Sequence, residues 1–587
     1  MIKELFRKYK VYLASFIILY LLIALIRFIQ VDYFTEEGVY AQYTLSVIQD
    51  QDLNIFNQIK DQRFKWLVTE THYHPDFEHS GITIFSTPFY LFTYLKLALF
   101  SGEVDLLNIK NYFYAHIIFT VFFISLGLIL LQKTSKKLFS QGNFNHALLF
   151  LASTPFTWYT FFQSTSTNSF GFFYTCLSLF YITTSKESDR LRLFYIGILF
   201  GFGFVIRIQL AWVGIALLYF LYKERKHFIP KVLFFIAGMA PAFLLLSINQ
   251  VARGSGGSYA LLNYFDLSIG TSFINSLIGE NGYLVLAPSL IICFFIYLYL
   301  VLQKETPLLL KLIGFPPLVL FTLYNFTWAL MDGYIGRHQQ SFLPIFCLVF
   351  IYFMGVISKH PKFKKGFIYL MLTLCCWNLI CNFWYLSVDH HQYNLWKFIY
   401  PIDLPILRDG LGAFLSQRTP SIFFRRIYEL LPYTPLLVLG SFLLIRIKNS
   451  NKMGRVLMPL IACYMLFTYT SITFLNYSYG KENVSKLKEE NALEGVVVGN
   501  NESLYIFDDY IQVLNDSIRY YKMKNNCSKV SKLIKVRQNY VDKVRSYVII
   551  DNGTFLPSLI EGTYRSNIDS SNSSLDLLFR NNCMEKE

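Results

Sequence analysis

Apolar runs of about 20 residues recur from residue 11 to residue 475, and a run of that length crossing a bilayer satisfies its own backbone hydrogen bonds only as a helix. The chain has 587 residues, of which 54% are hydrophobic and 16% charged, against roughly 25% charged in soluble domains. The runs do not alternate polar with apolar, which excludes a membrane β-barrel. The fold class expected is therefore all-α and polytopic.

The formal charge of +15 does not point to nucleic acid, because the basic residues sit in short clusters between apolar runs instead of on one face. The tendency of cytoplasmic loops to carry Lys and Arg accounts for them and fixes a threading. Span 1, about 11 to 30, runs outward from Lys3, Arg7, Lys8 and Lys10 and is read as a retained anchor. Spans follow at about 112 to 131, 145 to 162 and 167 to 184. The stretch 193 to 222 is too long for one span and carries Arg207 at its middle, so it is expected to split there into two short or tilted spans. Further spans lie at about 231 to 249, 283 to 302, 308 to 330, 341 to 358, 366 to 386, 433 to 447 and 456 to 475, about thirteen in all. The apolar segment 82 to 100 is assigned to the interface or a re-entrant loop, since a full crossing would place Lys133, Lys136 and Lys137 outside.

This threading gives a transmembrane domain, 1–475, whose first external loop, 31–111, carries interfacial helices. The tail, 476–587, turns rich in Asn, Ser, Lys and Asp, with β-prone runs such as Gly495-Val496-Val497-Val498. It is expected to be a small external α/β appendage. Of nine cysteines, Cys527 and Cys583 lie in this tail and the others in apolar segments without metal-ligand spacing, where packing explains them.

The outer loops hold the residues that carry chemistry. Glu36 and Glu37 follow span 1 within Thr35-Glu36-Glu37-Gly38-Val39-Tyr40, and acids held at the lipid boundary are costly enough to mark a site by default. The spacing of Val39, Tyr40, Tyr43, Leu45, Val47 and Ile48 predicts an amphipathic helix along the membrane surface. Its dipole would keep a carboxylate near the N-terminus ionised and able to act as a base, although a solvated capping pair has the same pattern. His74, Asp76 and His79 in the segment Tyr73 to Gly81 are expected to contact substrate, as is Tyr40, and no metal site is predicted because the helical spacing of a metalloprotease motif is missing.

A second outer turn reads Gly333-Tyr334-Ile335-Gly336-Arg337-His338-Gln339-Gln340-Ser341. Arg337 offers the forked donor set that fits phosphate oxygens, and Gly333 and Gly336 let backbone approach a ligand. An interfacial arginine that snorkels is the plain alternative. Arg253, in the glycine-rich Arg253-Gly254-Ser255-Gly256-Gly257, is placed with Arg337 and His338 as a donor-phosphate group. A base, cationic groups and a membrane-open vestibule on one face suit transfer from a lipid-linked phosphate donor.

The order of these elements resembles the GT-C superfamily of membrane glycosyltransferases, in the bacterial branch similar to protein O-mannosyltransferases and the lipid A aminoarabinose transferase. The landmarks are Glu37-Gly38 with Tyr40, Gly81 through Phe89-Tyr90, Thr154-Pro155-Phe156-Thr157-Trp158-Tyr159, Gly203-Phe204-Val205-Ile206-Arg207, Asn281-Gly282-Tyr283-Leu284, and Gly336-Arg337 ahead of Pro344. The resemblance implies an inverting transferase that uses a polyprenyl-phosphate sugar, with the first-loop acid as base. That role falls on Glu37, with Glu36 beside it as the alternative. The acceptor would be a glycan, a lipid or a protein, no cofactor is expected, and the location implied is the bacterial inner membrane with the site and tail outside. A polysaccharide polymerase or ligase, and a lipid-linked glycan flippase or transporter, are the competing readings.

Overall fold

Two of the apolar runs break, one at the Thr154-Pro155 step and one at a buried arginine, Arg207. The computed structural model describes residues 43–48, 80–100, 112–139, 143–162, 166–184, 189–223, 228–253, 283–319, 339–385, 453–475, 532 and 535. In chain order the α-helices of six residues or more are α1 (Ser80–Phe100), α2 (Phe113–Leu138), α3 (Phe144–Ala152), α4 (Ser166–Thr184), α5 (Asp189–Ile206), α6 (Ile215–Lys223), α7 (Phe228–Arg253), α8 (Pro288–Leu302), α9 (Leu308–Ile313), α10 (Leu343–Val356), α11 (Pro361–Tyr385) and α12 (Met453–Leu475). Residues 43–48 are also helical. Among the described residues, five helices are long and apolar enough to cross a membrane, and four shorter apolar ones accompany them; one of the five, Ile82–Leu99, is the segment expected to lie at the interface or in a re-entrant loop. The expected spans at about 11 to 30 and 433 to 447, and the part of the span at 308 to 330 beyond 319, lie outside the described residues.

By contact the chain divides into two units. One comprises residues 1–53 and 76–481 and holds every helix named above; the other comprises 54–75 and 482–587, of which Lys532 and Lys535, both helical and exposed, are described. The expected α/β character of the tail otherwise lies outside the described residues.

The stretch 193 to 222 splits where expected. At Arg207 the backbone turns extended, with φ −167° and ψ 125°, and a 3-10 segment, Ile208–Gly214, leads into α6. The expected span 145 to 162 is broken as well: α3 stops at Ala152, and a π-turn, Trp158–Phe162, follows the Thr154-Pro155 step. Proline lacks an N–H and disfavours helix in the residue before it, so the preceding turn loses its donors. Side chains from other helices replace them. Asn378 on α11 donates from Nδ2 to Ala152 O (3.1 Å), Thr154 O (2.8 Å) and Thr157 Oγ1 (2.6 Å), and Ser289 on α8 donates to Ser153 O. Replacing Asn378 by Leu takes these donors away where no water can replace them, and is expected to cost about 1–3 kcal/mol, read as a lowered midpoint of thermal unfolding in detergent.

Aromatic contacts set the directions of the helices. Along α2 and α4, Phe119 and Phe123 meet Phe170, Phe123 meets Phe173, and Gly127 lies against Phe172 and Phe173, so the two run parallel. Helices α5 and α7 are also parallel, with Phe200 against Phe235 and Phe204 against Phe243. Cys293 and Tyr299 of α8 meet Phe346 and Phe353 of α10 in the same sense. At one end of the unit Phe139 lies against Tyr352 at 5.4 Å, and Arg192 stacks on Phe220 at 5.1 Å. The basic clusters after α2, α8 and α10 therefore gather at one end. The first-loop segment, the N-terminus of α4 and the start of α10 lie at the other.

Candidate active site

The end opposite the lysines is lined by small polar side chains carried on apolar helices. Tyr43, Thr44, Leu45 and Ser46 are fully buried. Leu45 joins Tyr90 and Leu97 of α1 with Tyr112 and Ala115 in one apolar cluster, against which Ile48 and Phe89 pack. The segment expected to float on the membrane surface is thus wedged into the protein at 43–48. Its apolar periodicity is real, but the surface it covers is α1 and the start of α2 instead of lipid.

From there a chain of contacts crosses to the second outer turn. Thr44 Oγ1 and Ser86 Oγ share a hydrogen bond of 2.7 Å, and Ser86 also donates to Ile82 O. The ring of Phe85 lies 4.2 Å from that of Phe170 on α4. Next to it, Gly171 lies so close to Ser341 that a Cβ there would overlap the hydroxyl. Tyr464 on α12 closes the far side by donating to Ile84 O at 2.6 Å. Residues shortly after Glu37 and residues shortly after Arg337 are therefore gathered around the N-terminal turns of α1 and α4.

Gln339 and Ser341 are the polar groups that sequence reasoning passed over. Gln339 is 1% exposed, yet neither atom of its amide has a hydrogen-bond partner, and neither does the Ser341 hydroxyl or that of Thr83. A buried amide left unpaired costs about 1–3 kcal/mol on the protein scale, and native structures hold few such groups. The only sequence signal was a Gln-Gln-Ser run where apolar residues would have packed. Their chemistry is that of neutral groups which both donate and accept, suited to hydroxyls.

Arg207 reaches the same end by another route. It is 2% exposed, between α5 and the 3-10 segment, where Tyr174 donates to Leu199 O at 2.6 Å and Trp212 Nε1 donates to Thr175 Oγ1 at 3.1 Å. These bonds fix the break against α4. Glu36, Glu37, Tyr40, His74, Asp76, His79, Arg337 and His338 lie outside the described residues, and of Arg253 only the backbone, at the end of α7, is described.

Residues 107–250 match the family model described as dolichyl-phosphate-mannose-protein mannosyltransferase. The crystal structure of ArnT from Cupriavidus metallidurans in the apo state is similar at 12% identity and a TM-score of 0.41, covering 83% of this chain and 80% of that one. No curated protein matches in sequence. The family match runs from the approach to α2 through most of α7 and contains both the Thr154-Pro155 break and the Arg207 break. Over that stretch the resemblance to the GT-C membrane glycosyltransferases, read first from landmarks in the sequence, is shown.

Proposed function

We propose that this chain is a membrane glycosyltransferase that moves a sugar from a polyprenyl-phosphate donor to a hydroxyl of an acceptor on the non-cytosolic side. What supports the reading is a relay of contacts, Thr44 to Ser86, Phe85 to Phe170 and Gly171 to Ser341, that runs from the segment after Glu36-Glu37 to the segment after Arg337. The two segments lie about three hundred positions apart in the chain, so only the fold can bring them to one place.

In this reaction Glu37, or Glu36 beside it, takes the proton of the acceptor hydroxyl. The acceptor oxygen attacks the anomeric carbon from the face opposite the lipid phosphate, the bond from carbon to phosphate oxygen breaks, and configuration inverts. Arg337 and His338, with Arg253 at the end of α7, offset the charge left on the departing polyprenyl phosphate. Tyr40, Asp76 and His79 hold the sugar or the acceptor. A groove of ≈ 510 Å³ lined by Phe200, Trp212, Leu218, Phe235, Phe315 and Pro316 lies just past the Arg207 break and is apolar enough to take a lipid chain.

The test is release of free lipid phosphate by the purified chain from polyprenyl-phosphate sugars. With Arg337→Ala the donor is expected to bind about tenfold or more weakly, since a charge-assisted hydrogen bond contributes about 1.5–3 kcal/mol. Unchanged donor affinity would return Arg337 to an interfacial anchor, and no release from any such donor would end the proposal.

A further inference from the structure

The lysine-rich end of the transmembrane unit is a built surface, assembled from three parts of the chain. Phe139, just past α2, packs on Tyr352 of α10 at 5.4 Å, and the Tyr352 hydroxyl donates to Glu305 O at 3.0 Å. These contacts bring Lys136 and Lys137, Lys304, and the connection from α10 to α11 to one place. That connection, Lys359-His360-Pro361-Lys362-Phe363-Lys364-Lys365, has four lysines and no acid, and all of it is exposed except half-buried Lys364. Phe367 locks it in position by packing on Phe350 and Phe353. Among the described residues of this cluster, Glu305 is the lone carboxylate.

Apolar groups beside these cations say what kind of anion fits. On α8, Phe295, Leu298, Tyr299 and Leu302 are exposed by 63%, 38%, 46% and 81%. Their spacing, i, i+3, i+4 and i+7, makes one continuous stripe down the helix. The stripe ends two residues before Lys304. Phe363 and Tyr369, each 57% exposed, extend the apolar border on α11, with Lys365 Nζ 5.8 Å from the Tyr369 ring. A soluble polyanion has no use for such a stripe, whereas a phospholipid places its phosphate among the lysines and its acyl chains along α8.

We propose that this end of the molecule is a docking surface for anionic phospholipid headgroups, centred on Lys359, Lys362, Lys364, Lys365 and Lys304, with the acyl chains on the α8 stripe. The surface is separate from the candidate active site and does not depend on the reaction proposed there. Basic residues next to a membrane each strengthen attraction to an anionic leaflet by about fivefold.

The test uses the full chain in detergent, with retained lipid counted by native mass spectrometry after adding phosphatidylglycerol, phosphatidylcholine or free glycerol phosphate. Phosphatidylglycerol is expected to be retained over both of the others. The quadruple variant Lys359→Gln, Lys362→Gln, Lys364→Gln, Lys365→Gln is expected to lose that preference by about tenfold or more, and the matching Lys→Arg quadruple to keep it. Lys532→Gln with Lys535→Gln, exposed lysines of the other unit, serves as the charge control and should leave retention unchanged. Equal retention of phosphatidylglycerol and phosphatidylcholine, an unaffected quadruple Gln variant, or an equal loss in the control would each overturn the proposal. Competition by glycerol phosphate at the same concentration would assign the surface to a soluble phosphate and overturn it too.

Discussion

Glu37→Gln is expected to lower turnover by about 10²–10⁴-fold while the donor still binds, because an amide keeps the shape of the carboxylate but cannot take the acceptor's proton. Donor affinity, measured separately from turnover, distinguishes this loss from collapse of the site. Glu36→Gln is the paired experiment. A mild effect there with a severe one at Glu37 assigns the base; the reverse pattern moves the role by one residue. Full activity in both variants would remove the first-loop acids from the chemistry, whatever else the protein does. The effect should exceed that of Arg337→Ala, since a donor can bind with one cation fewer whereas an unactivated hydroxyl is a poor nucleophile.

That experiment is aimed by the fold, although neither acid is among the described residues. The helical segment 43–48 begins six positions after Glu37 and is pinned by the Thr44–Ser86 hydrogen bond and by burial of Leu45 against Tyr90 and Tyr112. An anchored neighbour of this kind limits where the preceding residues reach. The start of α10 is pinned likewise, through Ser341 on Gly171.

The parts of this arrangement that were legible in the sequence are those where a local signal had no competitor. A charge in the middle of an overlong apolar run, Arg207, marked a real break. The parity of the basic clusters agrees with the parallel pairing of α2 with α4 and of α5 with α7. Where two structures share one pattern, the reading went astray: the apolar spacing at 43–48 is the same whether the partner is lipid or protein. The Thr154-Pro155 break was passed over because its freed carbonyls are capped from Asn378 and Ser289, far away in the chain. Gln339 gave little warning for the same reason, since a buried unpaired amide is a property of the packed fold.

The glycines of α5 and α7 carry the largest structural prediction. Gly197 and Gly201 on α5 face Gly238 and Ala242 on α7 at four-residue spacing, so small residues form a seam along each helix. A Cβ at Gly197 would strike the Phe235 carbonyl, and one at Gly238 would strike the Phe194 carbonyl. The obstacle in both cases is backbone, which cannot rotate away. In a bilayer, where apolar side chains gain nothing by leaving lipid for protein, such close approach is itself what holds a helix pair together. Gly238→Leu should therefore separate α5 from α7, at a cost of about 3 kcal/mol, and lower the unfolding midpoint in detergent markedly. Gly355→Ala and Gly366→Ala are the controls, because nothing lies within 4 Å of a Cβ at either position. At these helical sites alanine should be neutral or mildly stabilising, by about 0.5–1 kcal/mol. If Gly238→Leu unfolded no more readily than the controls, the seam would not be what joins the helices. A disrupted seam should also reach the site, since α5 ends at Arg207 and the position of that break on α4 depends on where α5 lies. Loss of turnover in Gly238→Leu at temperatures where the variant is still folded is the expected sign of that coupling.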